Sequence, residues 1–103
     1  MEHVTESSML EDRKIIIRTT KTLDCSAHYV FAQACHWARQ SQVQVIIVDL
    51  DATLGIRASG LGMLLMLYNE MNLLQIRILL QNCNPEIKAQ LKSSKLLSGV
   101  SIS

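Results

Sequence analysis

The chain has little of what marks the specialised protein classes. Its 103 residues include one proline and four glycines, and only 4% are aromatic. Beside a hydrophobic share of 49%, that scarcity excludes a collagen-like repeat and an intrinsically disordered tail. Charge of one sign is missing too: ten Lys and Arg against nine Asp and Glu leave a net +1. Such a balance gives no electrostatic grip on nucleic acid or on an anionic membrane. The longest apolar runs, around 45–48 and 63–67, fall far short of the ~20 residues that cross a bilayer. The start, Met1-Glu2-His3-Val4-Thr5-Glu6, lacks the basic and apolar regions of a secretory signal, so the expected location is the cytoplasm. Cysteine is scarce and odd in number. Cys25, Cys35 and Cys83 form no CxxC pair, which argues against a disulfide framework or a structural zinc site. They read as reduced thiols packed as small apolar groups.

What is present is enough for one domain over 1–103, since area scaling buries roughly two-thirds of the surface of such a chain. Residues 1–12 are polar and mixed, and read as a short edge strand around Val4 or a flexible end. Lys14-Ile15-Ile16-Ile17-Arg18 predicts a buried strand. Asp24-Cys25-Ser26 then offers cap residues for a helix over 26–40, with Ala27, Val30, Phe31, Ala34, Trp37 and Ala38 at helical spacing. Residues 44–50 form the strongest strand, and four successive apolar residues, Val45 to Val48, predict burial on both faces. A loop over 51–58 leads to a helix over 59–72, followed by a strand over 76–80. Asn84-Pro85-Glu86 is a helix start, with a capping amide, a proline in the first turn and an acid at the positive dipole end. That helix is expected to run to about 96 or 97 and to end at Gly99, before a short strand at Val100 and Ile102. Strand–helix–strand alternation predicts an α/β sandwich with strands 44–50 and 76–80 parallel. Ile46, Val48, Leu64, Leu65 and Ile78 are its expected core.

Catalytic constellations are thin. His28 and His36 share one helix and read as solvated groups, and His3 lies at the terminus, so no triad assembles. Asp49 and Asp51 leave two readings open: a magnesium pair, or one carboxylate in solvent and the other tying down the loop. Gly60-Leu61-Gly62 starts like a dinucleotide fingerprint, but Leu65 stands where the third glycine belongs. Met63, Met66 and Met71 read as core and adaptable contact surface. Neither an acid–base pair nor a nucleophile–base pair emerges, so the chain does not read as an enzyme.

One segment stands above this background: the stretch 45–67, VIIVDLDATLGIRASGLGMLLML. It resembles the signature of the STAS domain, the anti-sigma factor antagonist family. There a hydrophobic strand ends in an acid, a short loop follows, and an Asp-Ser-Ser-Gly-Leu motif opens a helix. Asp49 matches the strand-end acid, Ile56 the apolar residue before the motif, and Ser59-Gly60-Leu61-Gly62 its latter half. Leu23-Asp24 and Asn84-Pro85-Glu86-Ile87 match the family at two further helix starts, and the likeness covers nearly the whole chain. It implies a STAS-like sandwich, a mixed central sheet of four to five strands with three to four helices.

The resemblance further implies a partner-switching regulator, phosphorylated on Ser59 by a cognate serine kinase and reset by a serine phosphatase. Its partner would be an anti-sigma factor or a related kinase, met through Asp24, Arg57, Ala58, Gly60 and Leu61. No cofactor or metal of the chain's own is implied, and neither direct nucleic-acid binding nor membrane insertion. The residues themselves leave a plainer role open for Ser59, as the N-cap of its helix, worth ~1 kcal/mol. Two positions depart from the family motif: Arg57 replaces its Asp and Ala58 its first serine. The first changes local charge by two units, and the second leaves Ser59 as the motif's one hydroxyl. That departure gives weight to an alternative, a constitutive STAS interaction subunit of a lipid-transport or signalling complex.

Overall fold

The computed structural model describes residues 7–94 and 99–103. Its elements run β1 (Ser7–Glu11), β2 (Lys14–Arg18), β3 (Thr22–Leu23), a 3₁₀ turn (Cys25–Ala27), α1 (His28–Gln40), β4 (Val45–Asp49) and β5 (Gly55–Ile56). They continue through α2 (Ala58–Leu73), β6 (Arg77–Gln81), α3 (Pro85–Ser93) and β7 (Ser101–Ile102). The main sheet has the order β1-β2-β4-β6-β7; β1 is antiparallel to β2, and the other pairs are parallel. This is the α/β class and the mixed sheet read from the sequence, with strands 44–50 and 76–80 paired in parallel through β4 and β6.

The edge strand begins at Ser7 and turns through Asp12 and Arg13, both at positive φ (50° and 64°), in a two-residue hairpin. The strand expected around Val4 lies outside the described residues. The small ladder of β3 with β5 was not anticipated, and it falls within stretches read as connection and loop. Two residues a side are too few to show a period.

Each crossover steps the same way across the sheet, and right-handed connections then place every helix on one face. The register shows the result. Ile15, Ile46 and Ile78 align across three strands, as do Ile17, Val48, Leu80 and Ile102. All but Ile102 are buried, in a single core with Phe31, Ala34, Leu64, Leu67, Met71, Ile87 and Leu91 of the helices. The expectation of burial on both faces of β4 is corrected. Val45 and Ile47 are only half-buried, because they point away from the helix layer.

Two further expectations change. Leu65 is half-buried, while Leu64 and Leu67 are almost wholly enclosed. The inward stripe of α2 is therefore Gly60, Leu64, Leu67 and Met71. Helix α3 ends at Ser93 rather than near 97, and Gly99 does not terminate it. The amide of Ser94 closes the last turn on Leu91 O, and Ser94 itself is extended. The start of α3 is as read: Asn84 Oδ1 accepts from the Ile87 amide at 2.8 Å, with Pro85 in the first turn.

Candidate functional site

The loops after β2, β4 and β6 gather at the carboxyl end of the parallel strands, the end at which α/β sheets present their sites. A buried hydroxyl pair ties two of them together. Thr19 Oγ1 and Thr53 Oγ1 share a short hydrogen bond, and Thr53 Oγ1 donates to Thr20 O at 2.6 Å. Both threonines are almost fully enclosed. Nothing in the sequence marked them, since isolated threonines in a loop look like solvated ones.

Asp49 ends β4 and acts as the loop's tether. Its Oδ1 accepts from the Asp51 amide and from Asn82 Nδ2, each at 3.0 Å, and its Oδ2 lies 3.7 Å from Arg18 Nε. Asp51 is exposed. The tethering reading of these two acids accounts for the geometry, and among the described residues no group of three or more His, Cys, Asp or Glu is placed to hold a metal.

The polypeptide then returns along β5 and opens α2 beside β3. The Arg57 amide donates to Leu23 O at 2.9 Å, and Gly60 sits directly over that strand. A Cβ on Gly60 would run into the Leu23 carbonyl, so the close approach requires glycine. Gly60 is buried and offers no surface to a partner; its contribution is this packing. Leu61 is half-buried against the core.

Arg57, Ala58 and Ser59 are exposed at the start of α2. The helix begins one residue before Ser59, and the cap position belongs to Arg57, whose side chain makes no capping bond. Ser59 is therefore not the N-cap. Its Oγ instead accepts from the backbone N–H of Cys25 at 3.0 Å, joining α2 to the 3₁₀ turn that precedes α1. Asp24 caps that turn, with Oδ1 accepting from the Ser26 amide at 3.0 Å and from Ser26 Oγ at 2.6 Å. These bonds, with a smaller contribution from the Arg57 charge, hold the Asp24 carboxyl below its usual range. The structure thus brings Asp24, Arg57 and Ser59 together around one exposed hydroxyl. Cys25, which the sequence reading had set aside as packing, supplies the donor.

Ser59 Oγ sits in the first turn of α2, where backbone N–H groups lack intrahelical partners and the dipole is positive. An anion on that oxygen would be stabilised locally. The expectation of three packed thiols is corrected at Cys25, which is exposed, while Cys35 and Cys83 are half-buried. Burial, with the Glu70 carboxylate beside it, pushes Cys35 up to about 11, and burial raises Cys83.

The family is now defined from outside the chain as well. Residues 7–103 match the STAS domain model, and the chain belongs to that family. Among solved structures, the unphosphorylated anti-sigma factor antagonist SpoIIAA superposes with a TM-score of 0.76 at 21% identity, over 96% of this chain and 87% of that one. The phosphorylated form of SpoIIAA from Bacillus gives 0.75 at 22%, over 96% and 91%. A serine-to-glutamate variant of RsbS from Moorella thermoacetica gives 0.81 at 17%, over 97% and 86%. No curated protein matches the sequence. No helix of the described residues is long and apolar enough to cross a membrane.

Proposed function

We propose that this chain is a partner-switching regulator of the anti-sigma factor antagonist type, controlled by reversible phosphorylation of Ser59. The observation that carries the reading is the exposed Ser59 Oγ in the first turn of α2, held by a backbone amide rather than by a general base. Such a hydroxyl suits a substrate of another enzyme better than a nucleophile of this one. A cognate serine kinase transfers a phosphoryl group from ATP to Oγ, whose proton is lost, and a serine phosphatase hydrolyses the ester. Likeness to SpoIIAA, known in phosphorylated and unphosphorylated forms, supports the same two states here.

Phosphorylation brings about −1.5 to −2 charges to the site. The local helix end tolerates them, so the domain stays folded. A partner fitted to a neutral hydroxyl loses complementarity, and binding fails. Arg57, exposed two residues before Ser59, would pair with the phosphate and partly neutralise it. On this reading the partner is an anti-sigma factor or a related kinase, met by Asp24, Arg57, Ala58 and Ser59, and the chain itself catalyses nothing.

The test is calorimetric binding of wild type, Ser59→Ala and Ser59→Asp to each anti-sigma-type serine kinase of the same genome. Ser59→Ala should bind as wild type and Ser59→Asp markedly less. Equal binding by the two variants would instead favour a constitutive interaction subunit.

A further inference from the structure

A groove of about 220 Å³ opens between α1 and α2. Ser59, Met63, Met66 and Glu70 follow on α2 at steps of four, three and four residues, and His28, Ala32, Cys35 and Arg39 follow on α1 at the same steps. Such steps keep each set on one side of its helix. All of these but Ser59 line the groove, and Ser59 stands one turn ahead of it. Phe31 and Leu67, both buried, form its floor. A polar bond closes each end. At the head the Cys25 amide, three residues before His28, donates to Ser59 Oγ. At the foot Arg39 Nη2 donates to Glu70 Oε2 at 2.6 Å. Ser59 and Glu70 lie eleven residues apart along α2, a length of about 16 Å or three helical turns. The hydroxyl therefore sits at one end of an apolar trough rather than on an isolated loop.

Resting on the partner-switching reading, we infer that the partner that meets Ser59 also fills this groove, laying an amphipathic helix along it and seating one large apolar side chain against Phe31. The residues around the switch, Asp24, Arg57, Ala58 and Ser59, are too few for a stable complex, which covers ~20–30 residues a side. The footprint has to spread, and interfaces take most of their energy from a packed apolar pocket near the centre. The groove offers that pocket on the stripe that Ser59 heads. Its volume is below the ~300–1,000 Å³ of small-molecule sites and suits a single side chain. Met63 and Met66 are unbranched and adapt to what they cover, and Met66 is 65% exposed. Arg39 and Glu70 neutralise each other at the foot, so the anchor that fits is apolar rather than charged. A helix anchored this way passes Ser59 with its end. A phosphate there would have to be stripped of water for the helix to lie down, which gives the switch its leverage.

Calorimetric binding to each anti-sigma-type serine kinase of the same genome tests this, with denaturant melts to confirm that every variant folds. Met66→Asp on α2 and Ala32→Glu on α1 each place a carboxylate in the groove at an exposed position. Against the kinase that binds wild type, each should bind about tenfold more weakly or worse. Tyr29→Asp, at a position 79% exposed on α1 but outside the groove, should bind as wild type. Groove variants that bind like wild type, while Ser59→Asp binds markedly less, would overturn the groove and leave the Ser59 reading standing. Groove variants that fail while Ser59→Asp binds like wild type would overturn that reading and leave the groove as a docking site. An equal loss in Tyr29→Asp, or a wild type that binds none of these kinases, would overturn the assignment. So would a wild type that dimerises in sedimentation while Met66→Asp stays monomeric, which would give the groove to a second copy.

Discussion

The backbone N–H of Cys25 donates to Ser59 Oγ across 34 residues of sequence, at 3.0 Å. One bond therefore couples the turn before α1 to the first turn of α2, at the atom on which the proposed switch acts. A phosphate ester keeps acceptor oxygens at this point, so modification need not break the tie. Ser59→Ala removes the acceptor altogether. Because the site is exposed, water can replace it, and the expected loss is about 0.5–1.5 kcal/mol in urea melts. Ser59→Thr, which retains an acceptor, should recover most of it.

Gly60 makes the same junction possible by its lack of a side chain. Gly60→Ala forces a methyl against the Leu23 carbonyl, which β3 holds in place and which also accepts from Arg57. Neither partner is a flexible side chain that can swing away. The expected cost is ~1–3 kcal/mol, as for overpacking elsewhere. Gly62→Ala, two residues on in open space, should be neutral or slightly stabilising by helix propensity. Denaturant melts of the two variants form an internal control.

The inward face of α2 separates neighbours. Leu64 is 2% exposed and Leu65 half-exposed. Leu64→Ala should cost ~2–5 kcal/mol by lost transfer and cavity, and Leu65→Ala clearly less. Equal losses would mean that the helix is rotated from the orientation described.

Much of the fold was legible because its elements are long enough to carry a period. The α1 stripe, the β4–α2–β6 unit and the Asn84 cap all appear in the sequence as they appear in space. The misreadings have physical causes. Helix α2 is apolar nearly all round, so the sequence could not separate Leu65 from Leu67. In β4 an unbroken apolar run suggested two covered faces, but the common handedness of the crossovers places the helices on one. The ladder of Leu23 with Ile56 is too short for any pattern. In the site, Ser59 and Asp24 were legible through a family likeness. The Cys25 amide was not, since a backbone donor leaves no trace in a residue's identity.

Acid should act on the cap before α1 in a defined direction. Hydrogen bonds from Ser26, aided by Arg57, favour the ionised Asp24, so its folded pKa lies below the ordinary value near 3.9. The stabilisation is fully present above that ordinary value and disappears as pH falls through the lowered one. The Ser26 amide resonance should therefore hold its position on acidification to about pH 4 and move only below it. In Asp24→Asn the resonance should not titrate in this range. A wild-type midpoint above the ordinary aspartate value would contradict the arrangement of the turn.

The central claim is that Ser59 is the acceptor of a regulatory phosphate. Incubation of the wild-type chain with each anti-sigma-type serine kinase of the same genome, ATP and magnesium, followed by intact-mass analysis and peptide mapping, tests it most directly. The account predicts a gain of one phosphate, located on Ser59, with the folded circular dichroism spectrum retained and no gain in Ser59→Ala. A wild-type chain that gains nothing, or a Ser59→Ala chain that gains as much as wild type, would contradict it.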